Sequence, residues 1–224
     1  MNARAEPASR PLGRSALIYN LAGIAVLVLL LCVAVAYLID ELGRADRRPV
    51  PSLGDTNPVT LTLSGRDLSI PQSWFRYGEQ IRAGFTDQVD LQVPLSVDGT
   101  SAMSVDISLL PRSRARTSAS LLDSVYLHQF GEGSLEGVIG LVGKPMHDDD
   151  GFTGESVWYD ALSPNPFVAK CLDPVETGGA AQCVRTVYLP SGIAAVYRFD
   201  AAMLPSWRQF DGEMERWLSA INAW

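Results

Sequence analysis

Between Ala16 and Ile39 the chain reads ALIYNLAGIAVLVLLLCVAVAYLI, without a single charge. About 20 apolar residues suffice to cross a bilayer core, and a helix satisfies its own backbone groups in lipid. A soluble helix of this length would show a polar face, and this one shows none. The run ends in Ala34-Val35-Ala36, a small-x-small triplet of the sort found at signal-peptide cleavage sites. A cleaved hydrophobic region is shorter, roughly 7–15 residues, so 16–39 reads as a permanent transmembrane anchor behind a tail of residues 1–15. Cys32, in mid-span, reads as a small apolar residue. From Asp40 to Pro58 the prolines at 49, 51 and 58 argue against regular helix or central strand. The segment 40–58 is expected to be a semi-extended stalk whose first part prolongs the membrane helix.

From Val59 the pattern changes to period two. Val59–Leu63 and Leu68–Ile70 flank the turn-forming Ser64-Gly65-Arg66-Asp67, which predicts a hairpin. Gln72–Ala83 carries Trp74, Phe75, Tyr77 and Ile81 and is expected to hold a short helix. Val89, Leu91 and Val93 alternate with Asp90 and Gln92, as in a half-buried strand. Asp98-Gly99 signals a turn back into Met103–Leu110. Leu121, Leu122, Val125, Tyr126 and Phe130 predict a helix over 117–130, capped by Thr117 or Ser118. A glycine-punctuated loop follows, with one short strand at Val138–Val142.

The C-terminal third predicts a meander over Glu155–Leu162, Phe167–Leu172, Gln182–Leu189 and Ile193–Phe199, because the short connections force antiparallel neighbours. Pro205 then opens a helix. Trp207, Phe210, Met214, Trp217, Leu218 and Ile221 fall on one face, with Arg208, Asp211, Glu215 and Arg216 on the other. The apolar face should pack on the sheet. The expected class is α+β: a transmembrane helix, a stalk, and over 59–224 an α/β sandwich with a mainly antiparallel sheet and a C-terminal amphipathic helix.

Charge and cysteines add a compartment. Residues 40–224 hold 15 basic and 24 acidic side chains, a net charge of −9, which argues against a nucleic-acid partner. Three arginines precede the span (Arg4, Arg10, Arg14) and three follow it (Arg44, Arg47, Arg48), so the positive-inside rule is evenly balanced. Cys171 and Cys183 end one strand and begin the next. Opposed residues on antiparallel strands lie close enough for a disulfide, which suits an oxidising compartment. The N-terminus is therefore expected in the cytoplasm and the C-terminal domain outside it.

Candidate chemistry is sparse. His147-Asp148-Asp149-Asp150-Gly151 is rich in oxygen donors. Aligned as an EF-hand, it puts Met146 and Val157 at the first and twelfth ligand positions, so it reads as a solvated turn and no metal is expected. Gly154-Glu155-Ser156-Val157-Trp158 lacks the second glycine of a nucleophile elbow. There is no Walker loop or dinucleotide fingerprint, so no cofactor is expected. Arg112, Arg114 and Arg116 form a candidate patch for an anionic partner, with a solvated connector as the default.

Several stretches are familiar together: LSIPQSWFR (68–76), EQIRAGFTDQVDL (79–91), GLVGKP (140–145), GESVWYD (154–160), PFVAKC (166–171) and YRFDAAMLPSWRQFD (197–211). The region after the stalk resembles uncharacterised single-span membrane-anchored proteins of Gram-negative bacteria. That resemblance implies the inner membrane and a periplasmic domain but transfers no activity or site residues. In strand and helix order the domain is also similar to Mog1/PsbP-like modules, a likeness of fold alone. The expectation is a bitopic inner-membrane protein whose periplasmic domain binds or helps assemble an envelope protein. The alternatives are a membrane-tethered small-molecule or lipid-binding domain, or an enzyme of unrecognised type using Glu155 with His128 or His147.

Overall fold

A computed structural model describes residues 14–45, 49–96, 102–147, 153–174 and 178–224. It divides into two units, residues 1–49 and 50–224.

Among its described residues the first unit holds one helix, α1 (Arg14–Ala45). Its stretch Ile18–Ile39 has a mean hydropathy of 2.9, which makes it long and apolar enough to cross a membrane. It fits a single-span anchor.

In the second unit, β1 (Pro58–Leu63) and β2 (Arg66–Pro71) form the expected hairpin. Its turn is only Ser64-Gly65, both with positive φ (52° and 79°). That conformation matches the twist of the strands, so Arg66 and Asp67 join the ladder. β3 (Gly84–Phe85) pairs in parallel with β1 to complete a three-stranded sheet. The segment 72–83 holds two 3₁₀ turns, Gln72–Trp74 and Gly78–Gln80, in place of the expected helix. Trp74 is pinned by donating from Nε1 to the Ser52 carbonyl at 3.1 Å, and Phe75 bridges to Leu91. Within the stretch read as stalk, Ser52 and Asp55 close a turn against Ser73.

Among the described residues the larger sheet has seven strands, all antiparallel. In spatial order they are β4 (Val89–Leu95), β5 (Met103–Pro111), β10 (Ile193–Asp200), β9 (Gln182–Tyr188), β8 (Val168–Leu172), β7 (Glu155–Tyr159) and β6 (Val142–Pro145). The meander is present, and its last strand docks on β5 in the register Tyr197 to Ile107. The Asp98-Gly99 turn lies outside the described residues. β7 stops at Tyr159 because the Asp160 side chain turns the chain, accepting from the Leu162 amide at 3.0 Å.

Further expected elements are corrected. The helix over 117–130 ends early. α2 (Ser118–Ser124) has its Thr117 cap, but Val125 breaks the helical backbone and a 3₁₀ turn covers Tyr126–His128. Phe130 is needed elsewhere: it bridges to Met146, just past the end of β6, and stacks on Tyr159 at 6.0 Å. The strand placed at 138–142 is shifted to β6, because Gly137 and Gly140 take positive φ (132° and 87°) and turn the chain there.

The helix α3 (Trp207–Ala220) covers one face of the sheet. Pro205 lies in a preceding 3₁₀ turn, Ala201–Ser206, not at the helix start. Phe210, Met214, Trp217, Leu218 and Ile221 are buried against Tyr197 and Phe199, and Leu61, Leu63, Leu68 and Ile70 of the small sheet join the same core. Arg208 and Glu215 are exposed as expected, whereas Trp207 is only half-buried. On the other face α2 closes a smaller core of Leu122, Tyr126, Met146, Val157 and Val168.

Candidate functional site

Cys171 and Cys183 stand directly opposite each other on β8 and β9 and are joined by a disulfide, with Cα atoms 3.9 Å apart. Cys171 lies on the floor of a cleft of about 650 Å³. Small-molecule sites commonly fall in this size range.

The floor is the α3-facing side of β7 and β8, with Ser156, Trp158 and Cys171. One wall is the turn before α3, through Ala201, Ala202, Leu204 and Pro205. The other is a flap, residues 131–141, that supplies Leu135, Glu136, Gly137 and Val138. The flap is held at several points. The Gly131 and Leu135 amides donate to the Pro145 and Gly143 carbonyls at 2.8 and 2.9 Å. Lys144 Nζ donates to the Gly133 carbonyl at 2.7 Å. Trp207 Nε1 donates to the Ile139 carbonyl at 3.1 Å.

Sequence explains why Trp158 can form this floor. It pairs with Gly143 on β6. A Cβ at 143 would stand 2.7 Å from the indole ring, so only glycine leaves room for the ring to lie across the edge strand.

Charged groups at the cleft are acidic: Glu136, Glu155 and Asp173 are among its lining residues. Glu155 is tied through Oε2 to Lys170 Nζ at 2.5 Å on the neighbouring strand. Tyr126 sits in the smaller core, where burial and then the Glu155 charge push its phenol up. Tyr197, buried below α3, is pushed up by burial and further by Asp211, against the opposing pull of Arg185. Both phenols stay protonated at neutral pH. The cysteines are consumed in a bridge, and Glu155 is paired with Lys170.

The other singled-out residues lie elsewhere. Arg112, Arg114 and Arg116 are all exposed. Arg112 stacks over the Tyr188 ring at 4.3 Å, and Arg114 reaches the Asp87 carbonyl at 3.5 Å. His128 and His147 are exposed, and the His147 amide donates to the Gln129 carbonyl at 3.0 Å. The run Asp148–Gly151 lies outside the described residues. Among the described residues no three His, Cys, Asp or Glu side chains are grouped to hold a metal.

Sequence reading missed the flap and the cleft. It also missed Arg185, which is 6% exposed on β9. Its signal was available: Arg185 shares strand parity with Cys183 and Val187, and an inward arginine requires a partner. Compared with family models, curated proteins and solved structures, the chain matches none.

Proposed function

We propose that this chain is a single-span inner-membrane protein of the Gram-negative envelope, with a disulfide-braced periplasmic domain that binds an envelope protein through the cleft. The observation that carries this reading is the cleft itself. It has an apolar floor and walls formed by Trp158, Leu135, Val138, Leu204 and Pro205, and its walls are fixed by the flap's hydrogen bonds and the preformed 3₁₀ turn. A preformed apolar groove spares a partner the ordering cost of making one. The apolar α1 supplies the anchor, and the Cys171–Cys183 bridge supports an oxidising compartment.

Two measurements test the reading. A reporter fused after residue 48 should be active only outside the cytoplasm, and Cys171 and Cys183 should resist alkylation until reduced. A photo-crosslinking residue at exposed Ala202, on the cleft wall, should capture a protein in native membranes. The same residue at exposed Asp123 on α2 should not. Equal capture at both positions, or none at Ala202, would remove the cleft from the function.

A further inference from the structure

The flap that walls the cleft also carries an exposed aliphatic tip. Ile139 is 87% exposed, and Leu162, on the loop after β7, is 95% exposed. Both emerge at the end of the β6–β7 pair where Val142 faces Tyr159. The tip is braced from behind. The Ile139 carbonyl accepts from Trp207 Nε1 at 3.1 Å and from Arg208 Nη1 at 3.5 Å. The Arg208 guanidinium lies over the Trp207 ring at 4.4 Å and packs on Gly140, where a Cβ would meet Nη2 at 2.3 Å. Isoleucine, tryptophan and arginine are thus held together in a fixed array, with the aliphatic tips in water. Aromatic and arginine side chains of this type anchor protein interfaces. Among the described residues Arg208 pairs with no carboxylate.

At the other end of β7, where Glu155 faces Leu172, the cleft opens beside Asp173, with Glu136 on its flap wall. Neither Asp173 nor Glu136 pairs with a cation among the described residues. Four residues of strand, about 13 Å, separate the two ends. One end of the β6–β7 pair therefore carries an apolar knob with an unpaired cation, and the other end an apolar cleft with unpaired anions. Two copies laid antiparallel along this strip would set the knob of each against the cleft of the other, the isologous arrangement of a twofold dimer.

We propose that the occupant of the cleft is a second copy of this chain, the knob of each copy seated in the cleft of the other and Arg208 facing Asp173 reciprocally. The proposal rests on reading the cleft as a protein-binding site. Two acidic domains repel at long range, but salt screens that repulsion beyond about 8–10 Å, while the two Arg208–Asp173 contacts act inside that distance. Spans in one membrane also raise the effective concentration of each copy, so a modest interface suffices.

The test is the dissociation constant of the full-length chain in detergent, measured by sedimentation. The wild-type chain should dimerise. Arg208→Glu and Asp173→Arg should each weaken the dimer at least tenfold, and the two together should recover most of the loss. Leu162→Asp changes a side chain that is almost wholly in water, so it should dissociate the dimer without moving the melting temperature. A monomer at every concentration overturns the proposal. So does a dimer indifferent to Leu162→Asp, or a charge swap no tighter than either single reversal. If the chain is monomeric while the Ala202 crosslinker captures a different protein, the second copy is wrong and the cleft reading survives. If it is monomeric and Ala202 captures nothing, both fail.

Discussion

Arg185 of β9 and Asp211 of α3 meet in a two-pronged ion pair, Nε to Oδ1 at 3.0 Å and Nη2 to Oδ2 at 2.6 Å. The arginine is almost wholly buried. Its third nitrogen donates to the Val168 carbonyl at 3.3 Å, and its guanidinium lies 4.4 Å over the Phe167 ring. The pair locks the rotation of α3 on the sheet, and with it the position of Trp207 at the flap. Asp211→Ala should destabilise the fold by about 3 kcal/mol, the low end of the range for stranding a buried charge, because Asp211 itself is half-exposed. Denaturant unfolding measures this. Arg185→Met with Asp211→Leu should recover much of the loss, since no charge is then left unpaired.

Trp217 is 6% exposed and meets Trp74 edge-to-face at 4.8 Å. Trp74 in turn holds the Ser52 turn through its indole nitrogen. Trp217→Ala should therefore cost about 3–5 kcal/mol, the usual range for deleting a buried aromatic. Trp207→Ala, on a half-buried ring, should cost clearly less and loosen the flap. Equal losses at the two positions would contradict the burial difference between them.

What was legible in the sequence follows from local physics. The apolar run at 16–39 has one physical solution, so the helix was unambiguous. Strands with strict alternation, such as the one expected at Met103–Leu110, were placed to within a residue, and the opposed cysteines followed from their places at the end of one strand and the start of the next. Elements decided by distant partners were misplaced. Phe130 has helical spacing, yet it leaves the helix because Met146 and Tyr159 offer it a better contact. Asp211 reads as the polar side of an amphipathic helix until Arg185 draws it in. The cleft was invisible because its walls, the flap and the 201–206 turn, meet only in the fold.

Asp90 gives the domain an acid sensitivity. Burial opposes its ionisation, but hydrogen bonds from Ser108, Gln80 and Gln88 and the nearby Arg76 charge outweigh it, so its carboxyl is held below the usual value of about 3.9. A depressed carboxyl contributes stability that is present above its unfolded pKa and is lost as pH falls through the folded one. Wild-type stability should thus decline between about pH 4 and its acid limit. Asp90→Asn should be less stable at pH 7 and show a flatter decline. Unfolding free energies measured across that window decide it, and parallel curves for the two proteins would refute the assignment.

Two glycines separate shape from propensity. Gly212, in α3, has nothing within 4 Å of an added Cβ. Gly212→Ala should stabilise the domain by about 0.5–1 kcal/mol, the ordinary cost of glycine inside a helix. Gly143 makes the same chemical change expensive, because its Cβ would stand 2.7 Å from the Trp158 ring and 2.9 Å from Leu135 Cβ. Neither neighbour can yield freely: Trp158 is 9% exposed on the cleft floor, and Leu135 is tied to Gly143 through its own amide. Gly143→Ala should therefore destabilise by about 1–3 kcal/mol, the range for overpacking. Adding Trp158→Phe should relieve part of the loss, because the smaller ring leaves room for the new methyl. A neutral Gly143→Ala would mean that Trp158 does not lie over β6, and the cleft would then lack the floor on which its binding role depends.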